Sequence, residues 1–232
     1  MIRSQLLAAT ALTSTVGFLV PGVALAAQVQ DWSGFYAGVG LGVAASNSQI
    51  DFSDISFPTD FTAPDSVKLP ALGTHGDVRL GYNWQAGKFL YGLEADGSLL
   101  ALDATATGTT YTITNSLNAL LSLRARFGVA FDRWLVFGSA GVAAGRSSFD
   151  ADVGTGGLRS PATGQGITAG YVIGLGGEYA LTNKVSLTGS VQYYALAPLH
   201  GNGVSDNGYS TPYAADVAPR GMTFETGVNV HF

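Results

Sequence analysis

The chain has 232 residues, enough for one ordinary domain or two small ones, and a formal net charge of −5. Charged residues are 12% of it, where a soluble domain carries about 25%; the 11 basic residues are scattered and cysteine is absent. A basic face for nucleic acid, a disulfide framework and a thiolate metal site are excluded. The 32 glycines follow no G-X-Y period, which removes a collagen-like chain and leaves a low-complexity protein or a membrane barrel.

In chain order, Met1-Ile2-Arg3 is a short positive start, Leu6 to Val20 is largely apolar, and Pro21-Gly22 precedes Ala24-Leu25-Ala26. That run is too short and too interrupted for a spanning helix, and it ends in the small residues of a cleavage site. Residues 1–26 are therefore expected to be a Sec signal peptide and 27–232 the mature domain. After residue 27 no stretch of 18 apolar residues occurs, so no helical span is expected.

What recurs instead is alternation. Phe35, Ala37, Val39, Leu41 and Val43 oppose Tyr36, Gly38, Gly40 and Gly42; Val78, Leu80, Tyr82 and Trp84 oppose Asp77, Arg79, Gly81 and Asn83. Tyr91, Leu93 and Ala95 oppose Gly92, Glu94 and Asp96. Leu117 to Phe131 places its odd positions against Asn118, Ser122, Arg124 and Arg126. Residues 135–147 do not alternate clearly and are assigned as a strand by position, with their inside and outside left open. Ile167 to Tyr179, Val185 to Ala195 and Met222 to Phe232 complete eight strands with one apolar and one polar or Gly face. Short turns at 85–88, 132–133 and 182–183 take turns with long polar connections near 49–72, 102–113, 148–164 and 199–219.

This layout predicts an all-β fold: an eight-stranded antiparallel up-and-down transmembrane β-barrel with four long extracellular loops, short periplasmic turns and both termini on the turn side. A soluble barrel would alternate equally well. Against it stand just three lysines and an inward set that mixes Gly with both charge signs. Aromatics also gather near strand ends, at Trp32, Phe35, Tyr82, Trp84, Phe89, Tyr91, Phe131, Trp134, Tyr179 and Phe232, as an interfacial girdle would require.

Trp32-Ser33-Gly34-Phe35-Tyr36-Ala37-Gly38, Leu80-Gly81-Tyr82-Asn83-Trp84-Gln85, Tyr91-Gly92-Leu93-Glu94-Ala95-Asp96, Leu123-Arg124-Ala125-Arg126-Phe127-Gly128 and Gly174-Leu175-Gly176-Gly177-Glu178-Tyr179 stand in that order. With these segments the chain resembles the small outer-membrane immunogenic proteins, relatives of the OmpA-like and OmpX-like barrels, over most of its mature length. The resemblance implies localisation in the cell outer membrane among lipid and lipopolysaccharide, with surface exposure rather than a defined reaction. The terminal Gly227 to Phe232 looks like the signal read by the barrel-assembly machinery, with Phe232 as its last residue. Two departures blur the subfamily: Gln192-Tyr193-Tyr194 stands where the family usually has Glu, and strand four lacks the Trp that commonly precedes Arg-x-Arg.

Candidate sites reduce to the inward charges Arg79, Glu94, Asp96, Arg124, Arg126, Glu178 and Glu225. These either pair in a lumen just wide enough for side chains or select ions in a pore; the pairing reading is favoured, because an unpaired buried charge is costly. His75 and His200 are placed near the outer ends of strands two and seven, and His231 at the periplasmic end. No His-x-Ser pair shares a strand face and no G-x-S-x-G occurs, so no catalytic residue is expected. No two His lie at ligand spacing and Asp51, Asp54, Asp60 and Asp65 lack a D-x-D-x-D pattern, so neither metal nor cofactor is expected. Gly38-Val39-Gly40-Leu41-Gly42 lies inside a strand and is no phosphate loop. The sequence reading is a non-enzymatic barrel contributing to envelope integrity and surface exposure, with a narrow solute or ion channel, then a lipid-modifying enzyme, as alternatives. Oligomeric state and loop ligands stay open.

Overall fold

The computed structural model describes residues 30–53, 66–108, 111–153, 160–205 and 211–232; the expected signal segment and Asp54, Pro58, Asp60, Pro64 and Asp65 of the first long connection lie outside them. Ten strand segments follow one another: β1 Gly34–Ser53, β2 Ser66–Ala86, β3 Phe89–Thr107, β4 Tyr111–Phe131, β5 Trp134–Val153, β6 Ser160–Ala180, β7 Val185–Leu196, β8 Leu199–Ser205, β9 Thr211–Ala218 and β10 Arg220–His231. β1 to β7 pair in sequence order, and β10 lies between β7 and β1, closing the ring. Every pairing is antiparallel. β8 and β9 continue β7 and β10 past breaks at Ala197-Pro198 and Pro219, so the ring has eight strands. Proline supplies no N–H to a ladder. The two breaks sit side by side, joined where Leu196 N–H donates to Pro219 O at 2.9 Å.

Strands β1 to β6 are 19–21 residues long, about twice the 9–11 residues that a tilted strand needs to cross a bilayer. The surplus explains where the expected long loops went. Much of 49–72, 102–113, 148–164 and 199–219 is strand, and the barrel wall continues past the apolar band as a collar. On β3 the outward side changes from Leu93 and Leu99 to Asp103, Thr105 and Thr107, all exposed. The inward side becomes apolar at the same height. Ile50, Leu69, Ala104, Ile113, Phe149, Ala151, Ala162, Leu199 and Val217 form a buried cluster inside the collar. Each large side chain there gains about 1.5–3 kcal/mol by leaving water.

The register of β5 resolves as odd residues inward: Leu135, Phe137, Ala143 and Ser147 are buried, whereas Val136 and Val142 face out. On β4 the expected parity fails above Ala119. A register shift between Leu117 and Ala119 flips the strand, so Leu117 is buried and Asn118 exposed, the reverse of the expectation. A bulge does this because one extra residue moves every following side chain to the other face.

At the turn end the chain enters across the mouth of the barrel. Gln30 N–H donates to Asp132 O at 2.9 Å and Gln30 Nε2 to Asn183 O at 3.4 Å, tying residue 30 to two separate turns. Trp32 then drops inside, 1% exposed, among Leu90, Ala130, Leu135, Phe137 and Ala180. Trp32 is therefore a cap on the lumen and not a girdle residue. Nothing in a local alternation signals a segment that folds back before its first strand. Phe35, Trp84, Phe89, Tyr91, Phe131, Trp134 and Phe232 are exposed around the same end, with Trp84 stacked on Tyr91 at 5.5 Å between centroids.

Candidate functional site

The lumen is where the side chains with chemistry converge. All seven inward charges expected there are buried, Arg126 completely. Cross-strand register sets their partners. Glu94 on β3 stands opposite Arg124 on β4, and Arg124 Nη2 meets Glu94 Oε1 at 2.6 Å and Asp96 Oδ1 at 3.7 Å. Asp96 also accepts from the hydroxyls of Ser122 and Ser98. Arg126 reaches Glu94 at 3.1 Å and crosses above β5 to Glu178 on β6 at 2.5 Å. Its guanidinium lies 3.8 Å from the Phe137 ring centroid, so an aromatic face covers the charge between its two carboxylates. Arg79 pairs with Asp77 at 2.6 Å and with Glu225 at 3.1 Å.

Tyr36, unassigned in the sequence reading, joins the network from β1. Arg126 Nη1 donates to the Tyr36 hydroxyl, which donates to Glu94 Oε2 at 2.5 Å. The ring can cross β2 only because Gly81 leaves room: a Cβ there would overlap the Tyr36 ring. Asp77 was likewise on the inward parity and unassigned. Parity was the available signal for both; their partners depend on register, which alternation does not give.

The three histidines part ways. His200 lies on the collar, 77% exposed, with Nδ1 2.7 Å from Asp216 Oδ1, a surface pair of little energetic weight. His75 is not near an outer end. Because β2 begins at Ser66, it sits mid-strand inside the lumen, 4% exposed. His231 Nε2 lies 2.9 Å from Ser186 Oγ, and Ser186 Oγ donates to Glu178 Oε2 at 3.1 Å. A serine, a histidine and a carboxylate are therefore adjacent. An acyl-transfer relay needs the carboxylate on the far ring nitrogen and an accessible hydroxyl. Here Glu178 is 3.7 Å from Nε2 itself and Ser186 is fully buried, so the three form a hydrogen-bonded plug beside Trp32, whose ring packs edge-on to His231 at 5.4 Å.

The lumen is thus layered from the turn end: Trp32, the ion pairs, then an apolar layer of Ala44, Leu100, Leu102, Leu117, Leu120, Ala143, Val172, Tyr194 and Leu196, then the collar core. The model of the outer membrane protein beta-barrel domain matches residues 15–232. The chain belongs to that family. It is 28% identical over 201 residues to the 31 kDa outer-membrane immunogenic protein of Brucella melitensis, covering 83% of this chain and 84% of that one. Among solved structures it is similar to the outer membrane protein OprG from Pseudomonas aeruginosa, with a TM-score of 0.57, 16% identity, and 86% and 96% of the two chains covered. It is also similar to the outer membrane protease OmpT from Escherichia coli, with a TM-score of 0.52, 9% identity, and 85% and 96% covered. At those identities the two structures speak for the shared barrel alone. This barrel is an outer-membrane protein.

Proposed function

We propose that this barrel is a non-enzymatic wall element of the outer membrane, closed along its axis by its own side chains and carrying a rigid collar that holds the connecting loops above the surface. The observation that carries this reading is the pairing of Arg79, Arg124 and Arg126, the inward arginines among the described residues, each with at least one carboxylate, between the Trp32 cap and the apolar layer. Paired charges inside a narrow barrel rigidify it, whereas a conducting path needs mobile water along the axis. Ion pairing and layering also argue against a lipid-modifying site, since Ser186, the serine bonded to His231 among the described residues, is buried and already donates its proton to Glu178.

Reconstitution into planar bilayers tests the reading. The refolded mature protein is expected to give no steady unit conductance. A stable conductance whose ion selectivity changes with Glu94→Gln or Arg124→Gln would establish the channel instead. The mature chain is proposed to begin at Ala27, so N-terminal sequencing of protein from the outer-membrane fraction should read from that residue; an intact Met1 there would refute export by cleavage. Phe232, exposed at the turn end with its N–H on Phe35 O at 2.9 Å, is proposed as the residue the assembly machinery reads, and Phe232→Ala should lower the fraction inserted in cells.

A further inference from the structure

His75 is the buried lumen histidine without a polar partner among the described residues, and its surroundings are those of a ligand rather than of a core residue. It is 96% shielded from solvent by its 4% exposure, and neither ring nitrogen has a hydrogen-bond partner among the described residues. Asp77 Oδ1 is in the same condition, since only Oδ2 receives Arg79. A buried polar group without a partner costs free energy that a native fold normally recovers. Here two such groups stand together with a carboxylate of Glu225, a set of donors that a metal ion can bind.

Register explains why they meet. Gly42 on β1 pairs with His75 on one side and with Glu225 on the other, so two long side chains flank a position with no side chain of its own. A Cβ at Gly42 would overlap the His75 ring. Asp77 comes two residues after His75 on the same inward face. The result is one imidazole nitrogen and two carboxylate oxygens all within 4.8 Å of one another. In a tetrahedral site with bonds of about 2.1 Å the ligand atoms stand about 3.4 Å apart, so the three side chains draw together by rotamer adjustment when the ion binds.

Charge points the same way. Among the described lumen residues, Arg79, Arg124 and Arg126 face Asp77, Glu94, Asp96, Glu178 and Glu225, all buried. Three cations against five anions leave two negative charges uncompensated in a region of low dielectric, where unpaired charge is expensive. One divalent ion supplies what is missing. Imidazole nitrogen excludes calcium and magnesium, which take oxygen ligands, and favours a borderline transition ion.

We propose that His75, Asp77 through Oδ1, and Glu225 hold a single divalent transition ion of the Zn²⁺ class inside the lumen, at the junction between the ion pairs and the apolar layer that begins at Leu100. Arg79 remains on Asp77 Oδ2 and Glu225 Oε1, so the ion occupies the opposite side of the Asp77 carboxylate. The ion is a structural one, loaded as the ring closes.

The test uses the full mature chain refolded from urea into phosphatidylcholine vesicles with ZnCl₂, washed with a weak chelator and assayed by elemental mass spectrometry. About one zinc per folded barrel is expected, together with a higher urea midpoint than for protein refolded in EDTA. His75→Ala should reduce retained zinc at least tenfold, while His200→Ala, on the exposed collar, should retain it. Folding is scored separately by the heat-dependent gel shift of barrels. Should His75→Ala fail to fold, Co²⁺ substitution of the unmodified protein decides: visible ligand-field bands of a nitrogen- and oxygen-ligated ion support the site, and their absence overturns it. Less than a tenth of an equivalent of zinc in the unmodified barrel, or equal zinc in it and in folded His75→Ala, also overturns it.

Discussion

On β3 the outward residues Leu93, Ala95, Gly97 and Leu99 give way to Asp103, Thr105 and Thr107, while the inward residues Glu94, Asp96 and Ser98 give way to Leu100, Leu102 and Ala104. The strand does not turn over; its burial alternates without a break through the change. The solvent outside it changes, from hydrocarbon to water. In the membrane half the wall is apolar outside and polar inside, and in the collar it is the reverse. Each half solves the same problem, since one face must match its surroundings and the other must satisfy itself. Inside the membrane half the self-satisfying face is ion pairs. Inside the collar it is packed hydrocarbon.

The largest effect expected from breaking this division is at its most buried charge. Arg126→Met leaves Glu178 without its arginine and Glu94 with Arg124 alone, and should cost about 3–5 kcal/mol, read by urea unfolding in vesicles. Exchanging a pair, Glu94→Arg with Arg124→Glu, should recover part of what either change loses; additive small losses would show that the lumen is watery rather than paired. Nearly as large, but confined to the other half, is Phe149→Ala in the collar core, at about 3–5 kcal/mol. Proteinase K should then cut the collar while the membrane half stays protected, and simultaneous loss of both would mean that the halves are one cooperative unit.

The outward faces give the smaller contrasts. Leu123→Arg, in the apolar band, should cost about 2–4 kcal/mol near mid-membrane. Thr105→Arg, the same charge on the outward face of the collar, should stay within about 0.5 kcal/mol. If the two cost alike in the same refolding assay, the boundary between the halves is misplaced.

The comparison also accounts for what could be read from sequence. Alternation with a constant polarity marks a strand, and the membrane parts of β1, β2, β3, β6, β7 and β10 have it. The lumen charges follow from parity for the same reason. The collar hides because its polarity is inverted: Leu99-Leu100 and then Asp103 interrupt the pattern where the strand itself continues. β5 hides because Gly138, Ala140 and Ala144 make its outward side nearly featureless. A bulge turns Asn118 outward, a fold-back before β1 takes Trp32 inside, and a strand start at Ser66 puts His75 mid-strand. Each of these depends on register or on distant chain, which no window of sequence contains. The neighbours Tyr36 and Asp77 had the right parity, but a hydroxyl bridging Arg126 to Glu94 is a fact of three dimensions.

The Gln30 contacts carry a consequence for the order of events in making the molecule. Residue 30 precedes every strand, yet its anchors at Asp132 and Asn183 belong to turns that exist only after β5 and β7 have joined their partners. Trp32 likewise rests on Leu135, Phe137 and Ala180 from the far side of the ring. Gln30 and Trp32 therefore take these places only where β3 to β7 are already paired around them. The segment before β1 is thereby a latch across the turn end, its holds drawn from β3, β4, β5 and β6 and from the turns at Asp132 and Asn183.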